Sequence, residues 1–235
     1  MYGTYHENFS YMDPDISLSF SGPAGTRRYI REYAGKRVEK NLASDTGRIL
    51  INPVEPVNLP DGLTSHLEIS FDPVIIKPGD EPFIYLKFPV ETAVFLESGG
   101  AYDVLDIFSL VPTKYSLYGL PETGCITKWY RSGVYTEIPE TDPLREGVIE
   151  LRFRNSGAVW AEVSRAVFQN TDMHLYYGDM VSMAAVMEIW NPKLARTSFL
   201  RRPLISTMTP SVELYTARKI PIVQQSGYVM EQGIS

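Results

Sequence analysis

Hydrophobic and polar residues alternate with a period of two in several stretches of this chain. Leu67, Ile69 and Phe71 alternate with Glu and Ser, and the segments 149–154 and 181–189 repeat the pattern. Successive side chains of a β-strand point to opposite faces, so this spacing predicts strands with one dry face and one wetter face. Such one-sided strands are typical of antiparallel sheets, because buried parallel strands are apolar on both faces.

Turn sequences separate the predicted strands. Asn155-Ser156-Gly157 and Gly178-Asp179 border apolar stretches, and Gly beside Asn or Asp supplies the positive φ that tight hairpins need. Helical signals are few: Asn191-Pro192 predicts the start of a short helix that ends near Arg201. We therefore predict a mainly β protein, an antiparallel β-sandwich or barrel-like architecture with few short helices.

The chain is long enough for one large β domain or two small ones, with 235 residues. A linker signal near Pro112-Thr113 divides it into an N-terminal β unit, 15–111, and a C-terminal β unit, 114–235. A single extended β-sandwich accounts for the same pattern nearly as well.

Composition and charge narrow the function classes. The net charge of −6 disfavours nucleic acid as a partner, because duplex-binding domains usually carry a basic excess. The basic stretch from Arg27 to Lys40 is interpreted as a solvated strand pair, with a site for an anion or an acidic partner as the alternative. Cys125 is the only cysteine, and a secreted β domain of this size would often carry disulfides, so we expect a cytoplasmic protein. The apolar runs are too short for a membrane span.

The titratable residues form no catalytic or metal-binding motif. His6, His66 and His174 are isolated, whereas zinc sites usually leave ligand pairs at short spacing. Cys125 has no neighbouring base and is interpreted as a buried thiol. Four acidic residues around two prolines are interpreted as a solvated loop: Glu137, Glu140, Asp142 and Glu146. We therefore assign no catalytic residue, no metal site and no cofactor.

Aromatic residues concentrate between positions 115 and 135, and they carry the candidate ligand-binding site. On a strand through 125–131, Trp129 and Arg131 fall on one face and Tyr130 on the other. A Trp beside an Arg can hold a sugar ring, a base or a partner's side chain. We therefore predict Tyr118, Trp129 and Arg131 as ligand-binding residues. The alternative is a core Trp with a cross-strand Tyr partner.

Several phrases of the sequence are distinctive in combination: ILINPVEPVNLP at 49–60, KYSLYG at 114–119, EGVIEL at 146–151 and ELYTARKIP at 213–221. Together they resemble an archaeal family of unknown function, number 432 in the domain-of-unknown-function series. The phrases are spread over most of the chain, so the resemblance is full length. It implies an archaeal, cytosolic protein, and it carries over no activity and no site residues.

Three hypotheses follow from different function classes. The first is a non-catalytic binding or scaffolding β module for a protein or a small-molecule ligand, and it fits the lack of catalytic motifs. The second is a hydrolase on a β scaffold that uses carboxylates such as Glu137 or Glu140. The third is a homo-oligomeric structural protein. A fold alone does not choose among them, because function resides in sites carried by folds.

Overall fold

The computed structural model describes residues 1–6, 8–23, 25–43, 48–214 and 227–231. Within these ranges the chain forms strands and one short 3₁₀ helix, Asn170–Asp172, which confirms the predicted mainly β class with few short helices. The strands, in chain order, are β1 (Gly3–Tyr5), β2 (Phe9–Met12), β3 (Ile16–Ser21), β4 (Arg27–Tyr33), β5 (Lys36–Leu42), β6 (Arg48–Val54), β7 (His66–Ile76), β8 (Phe83–Pro89), β9 (Glu91–Ser98), β10 (Ala101–Phe108), β11 (Lys114–Tyr118), β12 (Cys125–Arg131), β13 (Glu146–Asn155), β14 (Ala161–Gln169), β15 (Tyr176–Tyr177), β16 (Val181–Asn191), β17 (Leu194–Leu200), β18 (Thr209–Pro210) and β19 (Tyr228–Met230).

Within the described ranges the strands form four sheets, and none of the four closes on itself. The chain divides into two compact units, one made of Met1–Asn52 with Ala93–Asp106 and the other of Pro53–Thr92 with Ile107–Ser235. No helix in the described part of the chain is long and apolar enough to cross a membrane.

The first unit contains an antiparallel sheet in the order β2-β3-β4-β5. Its basic residues lie on the β4–β5 pair, as the strand-pair interpretation predicted, and three of the six have acidic partners within the described ranges: Arg28, Arg31 and Arg37. Arg37 pairs with Glu32 at 2.6 Å, and the Arg31 Nε donates to Asp106 of β10 at 2.6 Å. The hydroxyl of Tyr29 also donates to Asp106, at 2.9 Å. These contacts neutralise much of the basic stretch within the unit.

The second unit contains two sheets. The first has the order β11-β12-β7-β14 and is named here the β7 sheet; the second contains β18-β15-β16-β13-β8, with β17 and β19 attached, and is named the β16 sheet. Leu67, Ile69 and Phe71 of β7 are buried, as their alternation predicted. This inner face meets the β16 sheet, where the backbone N–H of Lys87 donates to the Ser132 hydroxyl at 2.8 Å.

The described sheets include parallel strand pairs, where the alternating pattern favoured antiparallel pairing. β12 runs parallel to β7, and β13 runs parallel to β16. β13 and β16 are buried on both faces over much of their length, so they fit the interior of a mixed sheet. A period of two reports which residues are buried; it does not report the direction of the neighbouring strand.

The helix predicted after Asn191-Pro192 is wrong. These residues form the turn of an antiparallel hairpin, in which β16 pairs with β17 and the Asn191 side chain accepts the Lys193 N–H at 2.9 Å. Asn and Pro suit turns as well as helix starts, and Ala195 and Thr197 are buried at alternate positions of β17. The strand pattern and the partner strand therefore override the local cap signal.

The β4–β5 turn provides a test of backbone strain. Ala34 has φ of 50° and Gly35 has φ of 72°, the pair of left-handed conformations that a type I′ hairpin requires. A residue with a Cβ pays roughly 1–2 kcal/mol in this region, and Asn tolerates it better. If Ala34→Asn stabilises the hairpin by ~1 kcal/mol, we expect hydrogen exchange of the β4 and β5 amides to slow about fivefold. Ala34→Val is the opposite control, and equal exchange in the two variants would contradict this account.

Candidate functional site

The three predicted ligand-binding residues lie on one face of the β7 sheet. In the β11–β12 pair Tyr118 is in register with Cys125, and alternation along β12 carries that face on to Trp129 and Arg131. This is the outer face, opposite the buried Leu67. Tyr118 is buried, Trp129 is half-buried and Arg131 is exposed. The outer face therefore has a closed end at Tyr118 and an open end at Arg131.

The closed end is filled by the protein's own aromatic side chains. The ring of Tyr228, on β19, lies 5.0 Å from the His66 ring and 6.2 Å from the Tyr118 ring, both edge-on. Its hydroxyl lies 3.6 Å from the Cys125 sulfur. Burial lowers the pKa of His66 and raises the pKa of Tyr228. Tyr118 thus takes part in an internal aromatic cluster, while Trp129 and Arg131 face the open end.

A buried carboxylate separates the two ends. Glu68 of β7 accepts hydrogen bonds from the Ser116 hydroxyl at 2.6 Å and from the Thr127 hydroxyl at 2.8 Å. The Arg165 guanidinium lies 3.4 Å from its other oxygen. The three donors come from β11, β12 and β14, so Glu68 cross-links the whole width of the sheet. Sequence reasoning missed this residue, because its partners are up to 97 positions away.

Two arginines flank Ser70 at the open end. Arg131 of β12 and Arg165 of β14 are both in register with Ser70 of β7, which puts their Cα atoms about 10 Å apart on one face. Arg131 pairs with Asp72, and both side chains are well exposed. The Arg165 Nε atom is buried and has no hydrogen-bond partner in the described structure. We name Arg131, Ser70 and Arg165 the arginine row.

Trp129 lies one row away from the arginines. It is in register with Glu68 on one side and with Lys114 on the other. The Lys114 ammonium lies 5.7 Å from the centroid of the Trp129 ring, within cation–π range. The open end therefore combines a half-buried aromatic ring with three cationic side chains.

The acidic residues on which the hydrolase hypothesis rests are either exposed or held in ion pairs. Glu137 and Glu140 are exposed, and Asp142 pairs with Arg145. Glu146 instead pairs with Lys87 at 3.0 Å and accepts a hydrogen bond from the Tyr130 hydroxyl. In the described ranges no group of three or more His, Cys, Asp or Glu side chains is placed to hold a metal ion.

A second cluster of charged groups is buried on the inner side of β12. Lys128 and Glu91 form an ion pair at 2.5 Å, and their side chains are 2% and 0% exposed. Glu91 also accepts the backbone N–H groups of Asn58 at 2.9 Å and Leu59 at 3.3 Å. A buried ion pair is tolerated when additional hydrogen bonds satisfy the charges, and these two provide them.

Glu55 is a buried acid next to this ion pair. Its Oε2 accepts the Leu214 N–H at 3.3 Å, while its Oε1 is buried and has no partner among the described residues. Burial, with a smaller contribution from the charges of Glu213 and Glu91, raises the pKa of Glu55 to about 8. Glu55 is therefore mostly protonated at neutral pH, and it lies near the Glu91 carboxylate that pairs with Lys128.

One neutral and one charged carboxyl group is the combination that acid–base catalysis uses. Here, however, Glu55 and Glu91 are both enclosed by the protein, so the pair has a structural role in this conformation. The sequence offered one signal for it: Glu55, Glu91 and Lys128 each interrupt an apolar context.

Three comparisons with known proteins complete the description. A family model described as a protein of unknown function (DUF432) matches residues 1–231. A search of curated proteins returned no match, and neither did a search of solved structures.

The Lys128–Glu91 pair provides a test by double mutation. Lys128→Met leaves the Glu91 carboxylate buried without its cation, and we expect it to lower the free energy of unfolding by about 3–5 kcal/mol. Adding Glu91→Gln removes that charge and keeps an acceptor for the loop N–H groups, so most of the loss should be recovered. Urea denaturation followed by tryptophan fluorescence measures both. Lys87→Met removes the cation of the more exposed pair with Glu146. It is the control, and it should lower the free energy of unfolding by less than Lys128→Met does. Equal losses in the single and double variants would contradict the buried-charge account.

Glu55 predicts a pH dependence of stability. Its pKa in the folded protein, about 8, lies above the ordinary value of 4.5, so the folded state holds a proton that the unfolded state releases. The stabilisation is complete below pH 4.5 and is lost as the pH rises through 8. We expect the Tm of the native protein to fall over this range and that of Glu55→Gln to fall less. Parallel Tm profiles for the two proteins would rule out this role for Glu55.

Proposed function

The chain belongs to the family of proteins of unknown function DUF432, and on that premise we propose that it is a non-catalytic binding module. Its ligand site is the open end of the outer face, where Trp129 and the arginine row lie together. The ligand class is a flat ring that bears a phosphate or a carboxylate group. The ring stacks on Trp129, and the anionic group bridges Arg131 and Arg165.

The unpartnered Arg165 Nε is the observation that carries this proposal. A buried N–H donor without an acceptor costs roughly 1–3 kcal/mol, so native structures rarely leave one unused. Glu68 engages the end of the same guanidinium at 3.4 Å and leaves the Nε without an acceptor. An oxygen of a bound anion would satisfy this donor.

Arg131 and Trp129 favour the same kind of ligand. The Arg131–Asp72 pair is exposed, and exposed pairs contribute only about 0–1 kcal/mol, so a ligand anion exchanges with Asp72 at little cost. Guanidinium groups match the planar, two-oxygen geometry of carboxylate and phosphate groups. The half-buried Trp129 supplies the ring surface for stacking.

We further propose a cytoplasmic location and an archaeal source for this protein. A single cysteine supports a cytoplasmic location, and the four distinctive phrases support an archaeal source. The hydrolase hypothesis gains no support from Glu137 and Glu140, whose side chains are exposed on a loop.

A single-tryptophan protein provides the test. Trp160→Phe with Trp190→Phe replaces two exposed tryptophans and leaves Trp129 as the only reporter. We expect its fluorescence to change on titration with adenosine monophosphate, less with inorganic phosphate, and least with adenosine. Added to this protein, Arg165→Gln should weaken the response to the monophosphate at least about tenfold, the usual effect of losing a charged hydrogen bond. Arg154→Gln, an exposed arginine of the β16 sheet, is the matched control.

The contradicting outcomes are specific. No response to the monophosphate or to phosphate at about 10 mM would end the proposal of an anion site. An equal loss in Arg165→Gln and Arg154→Gln would show that the response reflects net charge and not the arginine row.

A further inference from the structure

Within the described ranges, the outer edge of β11 has no strand beside it, unlike the edges of β8 and β14. β8 is covered by Tyr135, which exchanges backbone hydrogen bonds with Tyr85 at 2.9 and 3.0 Å. At the β14 edge, the Thr197 hydroxyl donates to the Val167 carbonyl at 2.5 Å, and the Val167 N–H donates to the Met230 sulfur at 3.4 Å. In the described part of the chain, β11 has β12 as its strand partner and no strand on its other side.

An apolar patch adjoins this edge. Leu117 of β11 and Ile126 of β12 are register partners, and they are 49% and 46% exposed. Leu120, in the turn between the strands, is also exposed, and so is Leu63. The Thr64 hydroxyl donates to the Ile126 carbonyl at 2.6 Å, which places Leu63 beside the patch. We name Leu63, Leu117, Leu120 and Ile126 the β11 patch.

The composition of β11 is unlike that of a protected edge. Proteins usually protect edge strands with charges, and β5 of the first unit follows that rule with four: Lys36, Arg37, Glu39 and Lys40. β11 carries one charge, Lys114, at its first position. A strand with one unpaired edge and exposed apolar neighbours is a template for pairing with another strand.

We propose that β11 pairs with β11 of a second copy of this chain, in antiparallel orientation about Ser116. This register sets Lys114 of one copy opposite Tyr118 of the other, and Tyr115 opposite Leu117. Parallel pairing would instead bring the two Lys114 side chains together, which is unfavourable. The antiparallel register therefore separates the charges and matches apolar residues with apolar residues. It is also self-complementary, as a two-fold dimer requires.

The dimer joins two four-stranded sheets into one sheet of eight strands. The contact consists of two five-residue strands and two copies of the β11 patch, a size at the low end of specific interfaces. Such interfaces associate in the micromolar range, so the dimer forms as concentration rises and is not obligate.

Sedimentation of the full chain tests this proposal. We expect the average mass to rise from 26.5 kDa toward twice that value between about 1 and 200 µM. Leu117→Lys adds a charge to the patch and should weaken association at least about tenfold. Ile75→Lys adds the same charge at another exposed apolar residue, beyond the part of β7 that pairs with β12, and should leave association unchanged. Circular dichroism verifies that both variants keep the β fold.

Two outcomes would overturn the proposal: a monomer at the highest concentration, or association that Leu117→Lys leaves unchanged. Hydrogen exchange gives an independent readout, because pairing should protect β11 amides as concentration rises. Association with no change in β11 protection would also contradict it. The measurement uses no ligand, so its result is separate from that of the binding test.

Discussion

The buried ion pair between Lys128 and Glu91 anchors the strand that carries the candidate site. Lys128 occupies the inner face of β12, and its neighbours Thr127 and Trp129 occupy the outer face. Glu91 in turn holds the loop at Asn58 and Leu59 through two backbone N–H groups. Moving β12 would separate the two charges in a dry environment, which is costly, so the ion pair restricts the position of Trp129 as well. The ion pair on the inner face thus fixes the position of β12, and the outer face of the same strand carries the candidate site.

The inner and outer faces treat charge in different ways. Inside, Glu91 is paired and Glu55 is neutral, so little uncompensated charge is buried. Outside, Glu68 is satisfied by two hydroxyls and a guanidinium, yet the same guanidinium keeps an unused donor. Among the described residues two buried arginine Nε atoms lack an acceptor, that of Arg27 in the first unit and that of Arg165, and only the Arg165 donor lies next to Trp129 and Arg131. This donor is the reason for placing a ligand at the arginine row and not at the acidic loop.

The alternation of apolar and polar residues predicted those features that a single strand determines by itself, namely which side chains are buried and which share a face. It identified the buried Leu67, Ile69 and Phe71, and it put Trp129 and Arg131 on one face. It did not find Arg165, because β14 joins this site through pairing with β7, which lies about 90 residues earlier. Strand pairing over such distances depends on tertiary packing that a local pattern does not encode. The wrong helix after Asn191 has the same origin, since the strand partner decided the conformation.

Lys114 links the two proposals, because it belongs both to the edge and to the site. Its backbone lies in β11, where self-pairing would occur, and its ammonium lies over the Trp129 ring. A second copy paired with β11 would restrict the backbone of that strand and so the position of Lys114. A ligand stacked on Trp129 would either favour or oppose the position that Lys114 takes in the dimer. By thermodynamic linkage, the ligand and the second copy would then change each other's affinity. If dimer formation changes the ligand affinity by some factor, the ligand must change the dimer affinity by the same factor. Lys114 is where such a coupling would be sought, because of the described residues it alone belongs to both the β11 edge and the Trp129 site.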